Sequence, residues 1–133
     1  MTSPIRAFCF DMDGLIFDTE RLGAVAMTEA ARLQGVELTH DQWRTLVGAT
    51  LSTTQSRLKE WFSGRVDGVR YTDDWCRLML THIRREGMPL RPGAAEALAS
   101  LRRRGMKLAL CTSNSRSVVT EYLAIAGMTE AFD

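Results

Sequence analysis

The sequence predicts an α/β fold built on a parallel sheet, and three observations carry that prediction. Two short, mostly apolar runs, residues 5–10 and 107–111, read as buried parallel-type strands. A helical pattern leads into the second run and another leads out of it, which is the alternation of an α/β layer. The composition, 133 residues with 45% hydrophobic and 25% charged, is that of an ordinary soluble globular chain with one modest core.

Each element has its own reason. The first strand, Ile5 to Phe10, lies between Pro4 and an acidic stretch. Leu22, Val25, Ala26, Ala30 and Leu33 then recur at three- and four-residue steps, and Gly35 supplies a stop, so this segment is an amphipathic helix. Thr39 with Gln42, and Ser52 with Gln55, have capping-box spacing ahead of Trp43-Leu46-Val47 and Leu58-Trp61-Phe62, which predicts two shorter helices. Thr72 is expected to cap a fourth helix striped by Trp75, Leu78, Met79, His82 and Ile83, ending at Gly87 before Pro89. His82 is isolated on that stripe, so it reads as a packed histidine and not as a ligand. After "LRPG", residues 90–93, comes a helix on Ala97, Leu98 and Leu101 stopped by Gly105, then the strand from Lys107 to Cys111. A last helix follows on Val118, Val119, Tyr122, Leu123 and Ala126, ended by Gly127. The helical block at residues 17–88 forms an insertion after the first strand, with 1–16 and 89–133 as the α/β part. Two strands leave sheet edges unpaired and apolar faces uncovered, so the architecture calls for further strands beyond Asp133 or from a partner chain.

Charge and cysteines narrow the function classes. Seventeen basic against sixteen acidic residues give a net charge of +1, so no global field draws the chain to nucleic acid or to anionic lipid. The run Arg102-Arg103-Arg104 reads as a solvated helix end, where cations suit the macrodipole. Cys9, Cys76 and Cys111 are odd in number and lack paired spacing, which predicts buried free thiols in a reducing, cytoplasmic compartment. No stretch approaches the ~18 apolar residues of a membrane span, and no secretory leader pattern is present.

The chemistry lies in "FCFDMDGLIFDTE", residues 8–20, which places four carboxylates directly after the first strand. Asp11 and Asp13, two apart on extended backbone, project to one side of the strand's C-terminal end, where open α/β sheets bind ligands. Two adjacent carboxylates invite a hard cation such as Mg²⁺, which takes one or two carboxylates plus waters and phosphate oxygens. They also push each other's pKa values apart, leaving one ionised and one able to carry a proton. After the second strand, "LALCTSNSRS" at residues 108–117 crowds the hydroxyls of Thr112, Ser113 and Ser115 at a helix start. Ser113 or Ser115 there can simply cap the helix. Beside an acidic site on the neighbouring strand, the segment reads better as a phosphate-binding one, with Thr112, Ser113 and Asn114 facing the anion.

"DMDGLIFDTE" followed by "RPG" and "LALCTSNS" resembles the haloacid dehalogenase-like hydrolases, in the branch with a small helical cap after the first strand, and the resemblance covers essentially the whole chain. It implies a Rossmann-like core, incomplete here, with an inserted four-helix cap domain. It implies Asp11 as the nucleophile that forms an aspartyl-phosphate and Asp13 as the proton carrier. Mg²⁺ is expected on the Asp11 carboxylate and the Asp13 carbonyl, and the Thr112 hydroxyl on the transferring phosphoryl group. Asp18 and Glu20 are expected to shape the hinge into the cap and its first helical turn, and Gly14 to let the backbone turn after the acidic pair. Gly48, Ala49 and Thr50 match the cap loop that faces substrate. The substrate class is then a small phosphorylated metabolite, a sugar phosphate or nucleotide-like molecule.

The departures from the family pattern are as informative. The lysine and the acidic pair that follow the second motif in family members would fall beyond Asp133, and Asp73-Asp74 reads as a helix N-terminal charge instead. General acid–base catalysis supplies roughly 10²–10⁴ in rate, whereas phosphate-monoester hydrolysis needs up to ~10²¹. Most of the acceleration must come from the electrostatic clamp, so the 133-residue form is expected to be inactive or nearly so. Asp13 points to phosphoryl transfer and away from dehalogenation. Gly23, twelve residues after Asp11, stands where related sugar-phosphate mutases carry a histidine, which places a phosphatase ahead of a mutase. A reading of another class is a non-catalytic binding or regulatory module acting through its exposed sheet edge.

Overall fold

The computed structural model describes residues 5–133, so Pro4, the expected boundary of the first strand, lies outside the described residues. The element order is β1 (Ala7–Asp11), α1 (Thr19–Leu33), α2 (His40–Leu46), α3 (Leu51–Trp61), α4 (Gly68–Glu86), α5 (Ala94–Arg103), β2 (Lys107–Cys111) and α6 (Arg116–Ile125). The chain divides into two compact units, Met1–Thr19 with Glu86–Asp133, and Glu20–Arg85.

In the first unit β1 and β2 pair in parallel, with Phe8 opposite Leu108, Phe10 opposite Leu110 and Asp11 opposite Cys111. Register partners share a face, so Phe8, Phe10, Leu108 and Leu110 form one side of the sheet and Cys9, Ala109 and Cys111 the other. Leu108 is fully buried, while every residue on the Cys9 side is exposed. This corrects two expectations. β1 is not a buried strand here, and Cys9, Cys76 and Cys111 are exposed thiols, not buried ones. The reason is common to the two strand cysteines: a two-stranded sheet covered on one face leaves the other face to solvent. Met12, Ile16, Phe17, Met88, Ala94, Leu98 and Tyr122 complete the buried apolar set of this unit.

The segments entering and leaving the second unit are stitched to each other. Asp18 N–H donates to Pro89 O at 2.8 Å and Arg91 N–H to Ile16 O at 2.9 Å. The Arg91 guanidinium reaches Asp18 Oδ1 at 3.5 Å. At the C-terminal residue of the described chain, Asp133 returns to β2, where its carboxylate accepts from Leu108 N–H at 2.8 Å and from Lys107 Nζ at 2.9 Å.

The second unit holds α1 to α4 around Met27, Ala30, Ala31, Leu46, Leu58, Phe62 and Tyr71. The Tyr71 hydroxyl donates to Met27 O at 3.1 Å, tying α4 to α1. The Thr39–Gln42 capping box is present in both directions. The next cap is not where the spacing places it: Thr50, and not Ser52, is the N-cap of α3, accepting from Thr53 N–H. α4 starts earlier than expected, at Gly68, because the Asp67 carboxylate accepts from Arg70 N–H and so supplies the cap. Thr72 is therefore inside the helix, buried, and donates back to Val69 O. Asp73 and Asp74 likewise lie beyond the first turn, with Asp74 paired to Arg77 at 2.7 Å and Arg70 at 3.8 Å. His82 is buried and bonded to Glu29 Oε2 at 2.8 Å, with Arg85 at its other ring nitrogen.

Candidate active site

Asp11 is the last residue of β1, and its register partner Cys111 is the last of β2, so the loops after both strands leave the sheet side by side. The first loop turns at once. Ile16 and Phe17 N–H both donate to Met12 O, Gly14 N–H donates to Phe17 O at 2.8 Å, and Gly14 sits at φ +75°, a conformation that glycine enters without a Cβ penalty. Met12 and Phe17, both fully buried, anchor this turn in the core and leave Asp11 and Asp13 at its outer side. Asp11 Oδ1 accepts from Met12 N–H at 2.7 Å, so one of its two carboxylate oxygens already has a main-chain donor.

The second loop carries Thr112, Ser113 and Asn114 into α6, whose N-cap is Ser115, accepting from Val118 N–H. Asn114 crosses to the first loop: its Nδ2 donates to Asp13 Oδ2 at 2.7 Å. The same Nδ2 lies 3.3 Å from Thr112 Oγ1, and the Asn114 main-chain N–H lies 3.2 Å from it. Asp13 and the Thr112–Asn114 segment thus meet in space, and Asp11 adjoins them through the strand pairing. Gly48, Ala49 and Thr50 belong to the helical unit, where Gly48 is at φ +72° and Thr50 caps α3.

Loss of solvent around the carboxyl raises the pKa of Asp13 above its ordinary 3.8; the Thr19 hydroxyl opposes that rise, the Asp11 charge adds to it, and the Asn114 bond opposes it again. Thr19, the first residue of α1, is a partner that spacing alone does not reveal. Its Oγ1 is buried without a closed hydrogen bond, yet it lies near enough to Asp13 to favour the ionised form. The only sequence signal for it is its place in "DTE" beside Asp18. Asp18 itself turns to Arg91, and Glu20 stands in the first turn of α1.

Among the described residues no group of three or more His, Cys, Asp or Glu side chains is gathered as a metal cage. What the first loop offers is two neighbouring acidic residues, enough for an ion that keeps most of its waters. No helix among the described residues is long and apolar enough to cross a membrane.

Comparison with known proteins agrees with this architecture. A family model described as haloacid dehalogenase-like hydrolase matches residues 8–133. An uncharacterised protein from the fgs 3′ region of Lacticaseibacillus casei is 29% identical over 124 residues, covering 93% of this chain and 57% of that protein. A solved structure from Thermotoga maritima, described as a candidate beta-phosphoglucomutase, superposes with a TM-score of 0.77 at 26% identity, covering 97% of this chain and 59% of that one. CbbY from Rhodobacter sphaeroides, solved in complex with phosphate, gives a TM-score of 0.74 at 23% identity, over 98% of this chain and 62% of its own. The chain therefore spans somewhat more than half the length of these relatives, and over that span it belongs to the haloacid dehalogenase-like hydrolases.

Proposed function

We propose that the protein acts in magnesium-dependent hydrolysis of a phosphoric monoester, a small sugar phosphate or nucleotide-like metabolite, through an aspartyl-phosphate on Asp11. The observation that carries this reading is the approach of the two loops, Asp13 to Asn114 at 2.7 Å, which brings an acidic strand tip and a hydroxyl-rich helix start to one place. The phosphate in the CbbY complex and the phosphoglucomutase description of the Thermotoga relative support a phosphorylated ligand.

In this reading Asp11 attacks phosphorus through Oδ2, since Oδ1 is held by the Met12 amide. The leaving oxygen takes its proton from Asp13, whose raised pKa suits a group that must carry one, and the same carboxylate then draws a proton from the hydrolytic water. Thr112 and Ser113 bind the phosphoryl oxygens from the start of α6, where main-chain N–H groups favour an anion. The Asp11 carboxylate and the Asp13 carbonyl would hold Mg²⁺, which would supply the positive charge an anionic nucleophile needs beside an anionic phosphate. The helical unit serves as a cap, with Gly48, Ala49 and Thr50 toward the substrate. A mutase is the second reading, favoured by the Thermotoga relative. Gly23 counts against it, because no imidazole stands at that place in α1.

The test uses beryllofluoride, which bonds a carboxylate oxygen as an acyl-phosphate mimic and needs no turnover. With Mg²⁺ the 133-residue chain is expected to give a bound ¹⁹F NMR signal that is absent from Asp11→Asn. No bound signal in the unsubstituted chain overturns the reading. Little or no release of phosphate from an aryl phosphate is expected from this chain length, and brisk Mg²⁺-dependent turnover would refute that part alone.

A further inference from the structure

The carboxamide of Asn114 joins the two strand tips in a way that fixes what Thr112 can do. A hydroxyl has one proton to give and two lone pairs to accept with. At Thr112 both lone pairs face Asn114 donors, the main-chain N–H at 3.2 Å and Nδ2 at 3.3 Å. The hydroxyl proton is then the one free capacity, and it points away from Asn114. The other Nδ2 proton goes to Asp13 Oδ2 at 2.7 Å, so each of the two amide protons has its own acceptor. The orientation of the amide is determined by its surroundings: turned over, its oxygen would face a carboxylate oxygen and Thr112 would lose a donor.

We infer that Asn114 is a positioning residue, orienting the Thr112 hydroxyl as an obligate donor to a bound tetrahedral anion and holding the Asp13 carboxylate in place beside it. This rests on the reading of Asp11, Asp13 and Thr112 as the phosphoryl-transfer groups. It differs from direct phosphate binding by Asn114, because the amide donors are already committed to protein acceptors. The contact also spans 101 positions of sequence, so it links loops that no local turn could hold together.

The first arm of the test reads the contact directly. In the ¹⁵N-labelled 133-residue chain, the Asn114 carboxamide proton resonances are expected to move in Thr112→Val and again in Asp13→Ala. Resonances unmoved in both variants overturn the inference, whether or not any anion binds. The second arm titrates beryllofluoride with Mg²⁺ into Thr112→Val, Asn114→Ala and the double variant. Each single substitution is expected to weaken binding about 10-fold, the worth of one hydrogen bond to a charged group. The double variant is expected within about twofold of Thr112→Val, because an effect transmitted through Thr112 has nothing left to act on. Losses that add, to about 100-fold, mean that Asn114 grips the anion independently and overturn the inference. If the carboxamide resonances move as expected while the unsubstituted chain takes up no beryllofluoride, the orienting role stands and the phosphoryl-transfer reading falls.

Discussion

Leu58 in the helical unit and Leu108 in the sheet unit are both fully buried, but their surroundings differ. Leu58 sits in a cluster drawn from α1 to α4 and the turns between them, in which Leu46 and Tyr71 are also almost wholly out of water. Leu108 has as its register partner Phe8, which is 36% exposed, and behind it lies a sheet face that is exposed along its length. Leu58 is enclosed by side chains of its own unit, whereas the sheet that carries Leu108 is covered on one face only. The candidate chemistry, Asp11, Asp13 and Thr112, is carried by the unit whose sheet is covered on one face.

Core truncation is the strongest way to break this comparison. Leu58→Ala is expected to cost about 2–5 kcal/mol, the range for deleting a buried leucine, whereas Phe8→Ala is expected to cost the helical unit no more than ~0.5 kcal/mol. The chain is well placed for the measurement, because its three tryptophans, Trp43, Trp61 and Trp75, all lie in the helical unit. Denaturation followed by their fluorescence therefore reports that unit alone. Equal shifts of the fluorescence midpoint in the two variants would mean that the units melt as one and that the contrast in burial has no energetic counterpart.

Glycines give a finer contrast inside the helical unit. A Cβ at Gly68 would stand 2.9 Å from Gln55 Cβ and 3.0 Å from Gln55 Cα, an obstacle of main chain that cannot swing aside. Gly68→Ala is expected to destabilise by about 1–3 kcal/mol through overpacking between α3 and α4. Gly23, inside α1, has nothing within 4 Å of such an atom. Gly23→Ala is expected to stabilise by up to about 1 kcal/mol from helix propensity. Matching signs in chemical denaturation would show that the α3–α4 approach is not tight.

What the sequence discloses follows the range of each interaction. β2 lies at Lys107–Cys111, where its apolar run ends at polar neighbours, and the Thr39–Gln42 box is legible because both partners are three residues apart. The α3 start is ambiguous in sequence, because Thr50, Ser52 and Thr53 are all hydroxyl residues, and the Thr50 oxygen bonds those of Ser52 and Thr53 at 3.0 and 2.9 Å. The α4 start is hidden for a related reason: Thr72 reads as a cap until Asp67 is seen to take that role. Exposure of Cys9 and Cys111 depends on what covers their face of the sheet, which the local pattern of either strand does not carry. At the candidate site, Asp11 and Asp13 announce themselves by spacing. The Asn114 bond to Asp13 joins residues that only the strand pairing brings together.

The smallest expected effects come from two aspartates of the sheet unit whose carboxyls are shifted in opposite directions. The Leu108 N–H and then the Lys107 ammonium hold Asp133 below its ordinary 3.8. Its contribution to stability is present above that value and is lost as pH falls through the lowered native one. Partial loss of solvent around its carboxyl holds Asp13 above its ordinary 3.8, with the Asp11 charge adding to the shift. There the unfolded chain ionises first, so stability is lost as pH rises from 3.8 through the raised native value, and the full cost is present at neutral pH. Asp133→Asn is therefore expected to lower the melting temperature at neutral pH and to approach the unsubstituted chain in strong acid. Asp13→Asn, which keeps an oxygen for the Asn114 amide, is expected to raise it at neutral pH, with the gain fading toward 3.8. Melting followed by amide signals of β1 and β2 decides the point, since opposite signs at neutral pH that converge in acid mean that ionised Asp13 is disfavoured at one strand tip while ionised Asp133 is favoured at the start of β2. The same sign for both variants would mean that ionising Asp13 costs the free chain nothing.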